Sequence, residues 1–244
     1  MTASTVTVSP PPRATRLEVG LQRRFGVVAD AVACEVPHSS QRLVACLAIH
    51  GVPLSRDAVA AQLWSNVTGD RAAAALRTAL WRLGPLARRL VDAGQGRLAL
   101  TRGVVVDFRA TARRAEAILS GEGVTGDVAV LRDAGDLLPD WYDDWVIIER
   151  ERFRQLRIDA LETLCAQLSA GGEYSHATDA GLAAIVAEPL REQAHRALIR
   201  AHLAAGNPGE ARRQYRLLRQ LLARELGVSP SPVTDALLAP IRLW

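Results

Sequence analysis

The sequence has no lysine: all 30 of its basic side chains are arginines. A phosphate-binding P-loop, which needs a lysine against the nucleotide, is therefore excluded. No G-x-S-x-G nucleophile elbow occurs either. Apolar runs are short, and none approaches the length needed to cross a bilayer, so a membrane protein is not expected. Residues 1–15 are rich in Ser, Thr and Pro but lack the basic start and apolar stretch of a secretory leader, and read as a disordered tail. Cysteine is scarce. Cys34, Cys46 and Cys165 are odd in number and lack metal-ligand spacing, which points to buried free thiols in a reducing cytoplasm. Five histidines are scattered, and His195 and His202, two helical turns apart, are too far from each other for one metal site. No metal or cofactor is expected.

The excess of positive charge is only +4, too small to establish nucleic-acid binding by itself. Exclusive use of arginine is most simply a mark of a GC-rich genome. It has a chemical consequence all the same, because the guanidinium fork is the better bidentate partner for phosphate and guanine.

Three patterns follow one another along the 244 residues. Leu17, Val19 and Leu21, then Phe25 and Val27, then Val32, Cys34 and Val36 alternate in short bursts broken by Gly20, Gly26 and Ala29-Asp30, the mark of short antiparallel strands. Helical periodicity comes next. Ser39 or Ser40 caps a first helix carrying Leu43, Val44, Leu47 and Ala48, which Gly51 and Pro53 end. Ser55 caps a second, with Asp57 in its first turn and Val59, Ala60 and Leu63 on one face. A third runs from Arg71 to about Leu83. Leu90-Val91 and Arg97 to Leu100, around Ala93-Gly94-Gln95-Gly96, read as a hairpin. A short strand follows at Val104 to Val106, and Asp107 then caps a helix through Leu119. Strands, three helices and a hairpin is the order of a winged helix-turn-helix, placed at 16–119. A Gly-rich linker is expected over 120–136, and only helical signals follow in 137–244.

The last region contains a repeat. Gly172 precedes Ala177 by the same spacing as Gly206 precedes Ala211, and the offset that relates the pairs also carries Leu164 onto Leu198. Glycine at a turn and alanine just beyond it, recurring at this period, is the tetratricopeptide (TPR) signature. The expected fold is thus an α+β winged helix followed by an all-α TPR-like layer.

On the third helix Leu76, Leu80 and Leu83 form the expected buried stripe. Arg71, Ala74, Thr78 and Trp81 lie opposite, with Arg77 and Arg82 on the flanks. Small residues let such a face approach a duplex while arginines reach phosphates or guanine edges. An ordinary solvated helix face would look similar, and the place of this helix in the winged-helix order favours DNA. Arg97 at the hairpin tip suits a minor groove; Gln95, Arg102, Arg88 and Arg89 are weaker candidates. The acidic and aromatic Leu138-Pro139-Asp140-Trp141-Tyr142-Asp143-Asp144-Trp145 has no His or Cys near it. It reads as an aromatic anchor followed by a helix cap rather than as an acid-base centre.

Several stretches in combination resemble the SARP-type antibiotic regulatory proteins of actinobacteria. They are Val36-Pro37-His38-Ser39-Ser40-Gln41-Arg42-Leu43, the helix from Arg71 to Leu83, Leu137-Leu138-Pro139-Asp140-Trp141, Glu188-Pro189-Leu190-Arg191-Glu192, and Glu225-Leu226-Gly227-Val228-Ser229-Pro230-Ser231-Pro232. The resemblance implies an OmpR-type winged helix binding promoter direct repeats as a homodimer. It also implies a bacterial transcriptional activation domain, contact with RNA polymerase including its sigma factor, and control of a secondary-metabolite gene cluster from the cytoplasm, at the nucleoid. It assigns Arg77, Thr78, Trp81 and Arg82 to DNA, to which the helix face and the hairpin add Arg71 and Arg97, and it assigns the segment holding Trp64, Ser65, Asn66 and Asp70 to polymerase. A helical scaffold whose winged helix contacts protein is the alternative.

Overall fold

A computed structural model describes residues 16–239, so the tail read over 1–15 lies outside the described residues. The chain forms two compact units: one holds the residues up to Val19 together with Gly26–Val105, the other Gly20–Phe25 and everything from Val106 on.

In the first unit, β1 (Leu17–Gly20) and β2 (Gly26–Ala29) bear out the alternation: Leu17, Val19, Val27 and Ala29 are buried and their neighbours are not; β3 (Val32–Ala33) departs from it, with both residues exposed. Asp30 and Ala31 connect β2 to β3 with φ of 54° and 67°. Two left-handed central residues make the type I′ turn that matches strand twist, and the register Ala29↔Val32 follows from it. Cys34 and Val36 lie past the last strand, and Cys34 is half-buried rather than in the core.

Three helices follow: α1 (His38–His50), α2 (Arg56–Leu63), reached through β4 (Leu54–Ser55), and α3 (Gly69–Arg82). Gly51 ends α1 in the left-handed conformation, its N–H on the Leu47 carbonyl, a geometry that glycine adopts without strain. Ser55 caps α2, its Oγ accepting from the Ala58 N–H at 3.2 Å. Neither Ser39 nor Ser40 caps α1, which begins at His38 after Pro37; Ser40 is fully buried and used elsewhere. After a 3-10 turn come α4 (Ala87–Leu90), β5 (Val91–Asp92) and β6 (Arg97–Leu100). The hairpin pairs Val91 with Leu100 and Asp92 with Ala99, and β4 adds on its other side through Leu54↔Leu98. A four-stranded sheet has the order β3-β2-β1-β7, where β7 is Val105–Val106.

The second unit starts with α5 (Asp107–Leu119). Asp107 does not cap it in the expected sense. Its carboxylate accepts from the Leu21 N–H at 2.8 Å and the Gln22 N–H at 3.1 Å, which ties residues 20–25 to this unit. The segment expected as a linker contains α6 (Asp127–Asp133), and Val128 and Leu131 sit in the same core as Ala115 and Ile118 of α5. Compactness therefore divides the chain at Val105, ahead of α5, rather than near residue 120. Glycines suggested an open tether, but a two-residue apolar face was enough to fold α6 down.

Four helices make the array: α7 (Asp144–Ala170), α8 (Tyr174–Ala187), α9 (Glu192–Ala204) and α10 (Pro208–Leu226), with the short α11 (Pro232–Ala236) after them. The repeat is real at the level of atoms. Gly172 donates to the Ser169 carbonyl and Glu173 to Leu168; Gly206 donates to Leu203 and Asn207 to His202. Both glycines have positive φ, and Ala177 and Ala211 are fully buried just beyond. A Cβ on Gly181 of α8 would stand 3.1 Å from Leu198 Cβ and 3.3 Å from Cys165 Sγ. Gly181→Val is therefore expected to overpack this three-helix contact and lower the unfolding free energy by about 1–3 kcal/mol in urea titration.

His195 is buried between α9 and α10. Its Nε2 donates to the Pro189 carbonyl at 2.9 Å, because a carbonyl can only accept, and Nδ1 accepts from the Gln214 amide at 2.7 Å. Desolvation holds its pKa below the usual histidine value, against smaller opposing effects of the Pro189 bond and Glu192. The unfolded chain then binds more protons than the folded one once the pH drops below about 6.5, so stability is full above that point and lost as acid titrates the buried ring. Thermal melts from pH 7.5 to pH 5 should show this decline, and His195→Gln should flatten it while keeping a hydrogen-bonding group.

Candidate nucleic-acid interface

The possible groove-facing surface is built on α3, and what holds α3 decides which side chains it offers. Ala72, Leu76, Ala79 and Leu83 are its buried stripe, while Leu80 is only half-buried. The expected Leu80 contact is thus replaced by two alanines, which bring the α3 backbone close to α1. That approach lets Ser40 Oγ donate to the Ala79 carbonyl at 2.7 Å in a fully buried position. The sequence carried a signal for this role: Ser40 stands in phase with Leu43, Val44 and Leu47, a polar residue on an apolar stripe.

The opposite side of α3 matches the expected face. Arg71, Ala74, Arg77, Thr78, Trp81 and Arg82 are all exposed, and Trp81 is 80 % exposed. Trp81, Ala74 and Thr78 occupy the middle, with Arg77 to one side and Arg71 and Arg82 to the other. The Thr78 hydroxyl donates back to the Ala74 carbonyl at 3.1 Å, which leaves its methyl as the group turned outward. Arg71, Arg77 and Arg82 have no ion-pair or hydrogen-bond partner among the described residues. The contrast with the helical unit is sharp. There Arg114 pairs with Asp127, Arg132 with Asp179 at 2.7 Å, Arg154 with Glu151 at 2.8 Å and Arg191 with Glu162 at 2.7 Å.

Arg97 lies apart from the residues of this face. It is exposed on β6, but its Nη1 donates to the Pro53 carbonyl at 3.2 Å, so it braces the strand pair that carries the hairpin. The turn it follows is fixed by Asp92, whose Oδ1 accepts from the Gly94 N–H at 3.1 Å, and by Gln95 at φ 53°. Arg88 and Arg102 are exposed nearby, and Arg89 pairs with Asp30 at 2.9 Å. In the loop before α3, Ser65 and Asn66 are exposed and Trp64 is half-buried, its N–H on the Ala60 carbonyl at 3.0 Å, while Asp70 is exposed in the first turn of α3 itself.

Chemical alternatives find little support. Among the described residues no group of three His, Cys, Asp or Glu side chains could hold a metal ion. Cys46 and Cys165 are buried, and desolvation pushes both thiols up to about 12, far from reactive thiolates. No helix among the described residues is long and apolar enough to cross a membrane.

The architecture so assembled is that of a winged helix-turn-helix joined to a helix-pair repeat. The chain belongs to the bacterial transcriptional activator domain family, which matches residues 105–242, more than half of its length. It is 28 % identical over 233 residues to the regulatory protein AfsR of Streptomyces coelicolor, a match covering 86 % of this chain but only 23 % of that much longer relative. Its fold matches the structure of EmbR from Mycobacterium tuberculosis, solved in complex with a low-affinity phosphopeptide. That match has a TM-score of 0.71 and 22 % identity, over 94 % of this chain and 65 % of the other. The winged-helix and TPR-like reading of the sequence is borne out.

Ser40→Ala should remove a buried polar link between α1 and α3. About 1–2 kcal/mol of stability is expected to go with it, read by urea unfolding. Backbone amide exchange should rise in α3 more than in α2.

Proposed function

We propose that this protein activates transcription by seating α3 in the major groove of promoter DNA while other surfaces of the same chain hold RNA polymerase, its sigma factor included. One observation carries the reading: three unpaired guanidiniums surround an exposed tryptophan on a helix whose other side is fixed by packing and a buried hydrogen bond. Folding gains nothing from those side chains as they stand. In a groove, Arg71 and Arg82 neutralise phosphates, Arg77 reaches a guanine edge, and Ala74 and the Thr78 methyl offer apolar contact to thymine. Arg97 steadies the wing and meets the minor groove when its bond to Pro53 opens. The exposed loop residues Ser65 and Asn66, with Trp64 at their root and Asp70 in the first turn of α3, face polymerase. On the resemblance to the SARP-type regulators the targets are direct repeats, bound by a homodimer, at the promoters of a secondary-metabolite gene cluster, and the site of action is the cytoplasm at the nucleoid.

Trp81 also suits a protein contact, since exposed tryptophan is a frequent hot spot, and one experiment separates the two readings. Binding sites are selected from a random duplex library with the intact protein, and affinities for the winning sequence are measured by fluorescence anisotropy across salt concentration. Arg77→Ala should cost about 1–3 kcal/mol and relax one base position, whereas Arg82→Ala should weaken all sequences alike and lower the salt slope by about 1. Replacing thymine by uracil in the selected site should remove whatever preference Thr78 supplies. Unchanged affinity in a folded Arg77→Ala/Arg82→Ala variant would overturn the groove reading and leave the protein-contact one.

A further inference from the structure

Two exposed surfaces of the helical unit carry opposite charge. The first is the outer side of α10. Arg212, Arg216 and Arg219 follow one another at helical spacing, and Arg213 and Arg224 continue the basic surface around the helix. Arg216 and Arg219 have no carboxylate partner among the described residues. Arg213 reaches Glu210 only at 3.8 Å and Arg224 pairs with its own neighbour Glu225, both in solvent, where such pairs contribute little. Arg212 and Arg213 each stand within a turn of Arg216, and like charges at that spacing repel. Leu217 lies beside Arg213 and Arg224 and is half exposed.

The second surface is the entry to α7. Asp140 and Asp144 are exposed and make no ion pair or side-chain hydrogen bond among the described residues. Between them Tyr142 is 81 % exposed, and Ile148, one turn into α7, is 54 % exposed. The backbone here is firmly held: Arg150 Nε donates to the Leu137 carbonyl at 2.7 Å and its Nη2 to the Trp141 carbonyl at 2.7 Å, and Trp141 stacks on Phe25. A rigid acidic loop with an aromatic tip is a preorganised partner for a basic helix with an exposed leucine.

We propose that these two surfaces bind each other between copies of this chain, α10 of one molecule receiving the Asp140–Asp144 loop of the next. The carboxylates meet Arg216 and Arg219, and Tyr142 covers Leu217. Such a contact is heterologous: each molecule uses one surface as donor and the other as acceptor, so pairs form head to tail and association is open-ended at high concentration. It needs no DNA and does not rest on the groove reading.

Sedimentation velocity tests it. The intact wild-type protein should self-associate with rising concentration, and the association should weaken at least tenfold between about 0.05 M and 0.5 M salt, because the pairs lie near the surface. Arg216→Glu/Arg219→Glu should be monomeric, and so should Asp140→Arg/Asp144→Arg; all four positions are exposed, and circular dichroism checks the fold. The decisive sample mixes the two variants. Each retains the surface the other has lost, and the two reversed surfaces are again opposite in charge, so the mixture should associate where neither variant does alone. Tyr142→Ala and Leu217→Ser, which leave charge alone, should each weaken wild-type association several-fold. A wild-type protein that stays monomeric up to about 100 μM at low salt, variants that associate as the wild type does, or a mixture in which the variants ignore each other would each overturn the proposal.

Discussion

The hydrogen bond from the Ser40 hydroxyl to the Ala79 carbonyl is the contact on which the orientation of α3 depends. It forms because Ala72 and Ala79 are small enough for two helices to approach until a serine side chain spans the gap, in a site with no water to compete. A helix held by hydrophobic packing alone can rotate a little about its axis at low cost, since the attraction has no direction. A buried directional bond removes that freedom. Arg77, Trp81 and Arg82 inherit their direction from it, although none of them touches Ser40.

Arginine as the only basic residue gives the molecule one kind of cation to distribute, and it uses that cation in three ways. Some guanidiniums are consumed by backbone: Arg150 clasps the carbonyls of residues 137, 138 and 141, a task for which a planar fork with several donors is suited. Others meet carboxylates across the helical array, as Arg191 does with Glu162, where burial raises the carboxyl pKa and the guanidinium opposes that rise. A third set, on α3 and α10, stays in water. Leaving an ionised group solvated costs nothing in folding, so nothing about stability explains why these positions are arginine rather than any other polar residue.

The fold was largely legible in the sequence, for reasons that differ between its parts. Strand alternation at Leu17 to Ala29, the Ser55 cap and Gly51 stop are local, and local chemistry decided them. Asp107 was read as a cap because an acidic residue before a helix usually is one; its partners, Leu21 and Gln22, are distant in sequence and no spacing rule reaches them. The same reach explains the misplaced boundary. Residues 20–25 interrupt the first unit yet bond to the second, a crossing that only three-dimensional contact reveals. The outward face of α3 was recognisable from phase alone, whereas the commitment of the Thr78 hydroxyl to Ala74 and of Arg97 to Pro53 depended on side-chain rotamers.

The repeat shows how little sequence a structural period requires. Between the two helix pairs only a handful of positions are identical, among them Gly172 and Gly206, Ala177 and Ala211, and Leu164 and Leu198, yet the backbone hydrogen bonds at Gly172–Glu173 and Gly206–Asn207 join corresponding residues. A positive-φ turn closed by such bonds fixes the angle at which the next helix leaves, and the small alanine fixes how near it lies. With angle and distance set, apolar residues of many kinds complete the contact, so they are free to vary. What differs is the far end. Pro189 follows close after α8 ends at Ala187, while α10 has no proline there and runs on to Leu226. That extra length is exposed helix beyond what packing against α9 uses, and it carries Arg224 and Leu226 outward. α11 meets one side of α10, where the Tyr215 hydroxyl donates to Asp235 at 2.6 Å, and the arginine-bearing side stays exposed. Here that side is basic, which keeps it solvated and at the same time makes it selective for an anionic neighbour.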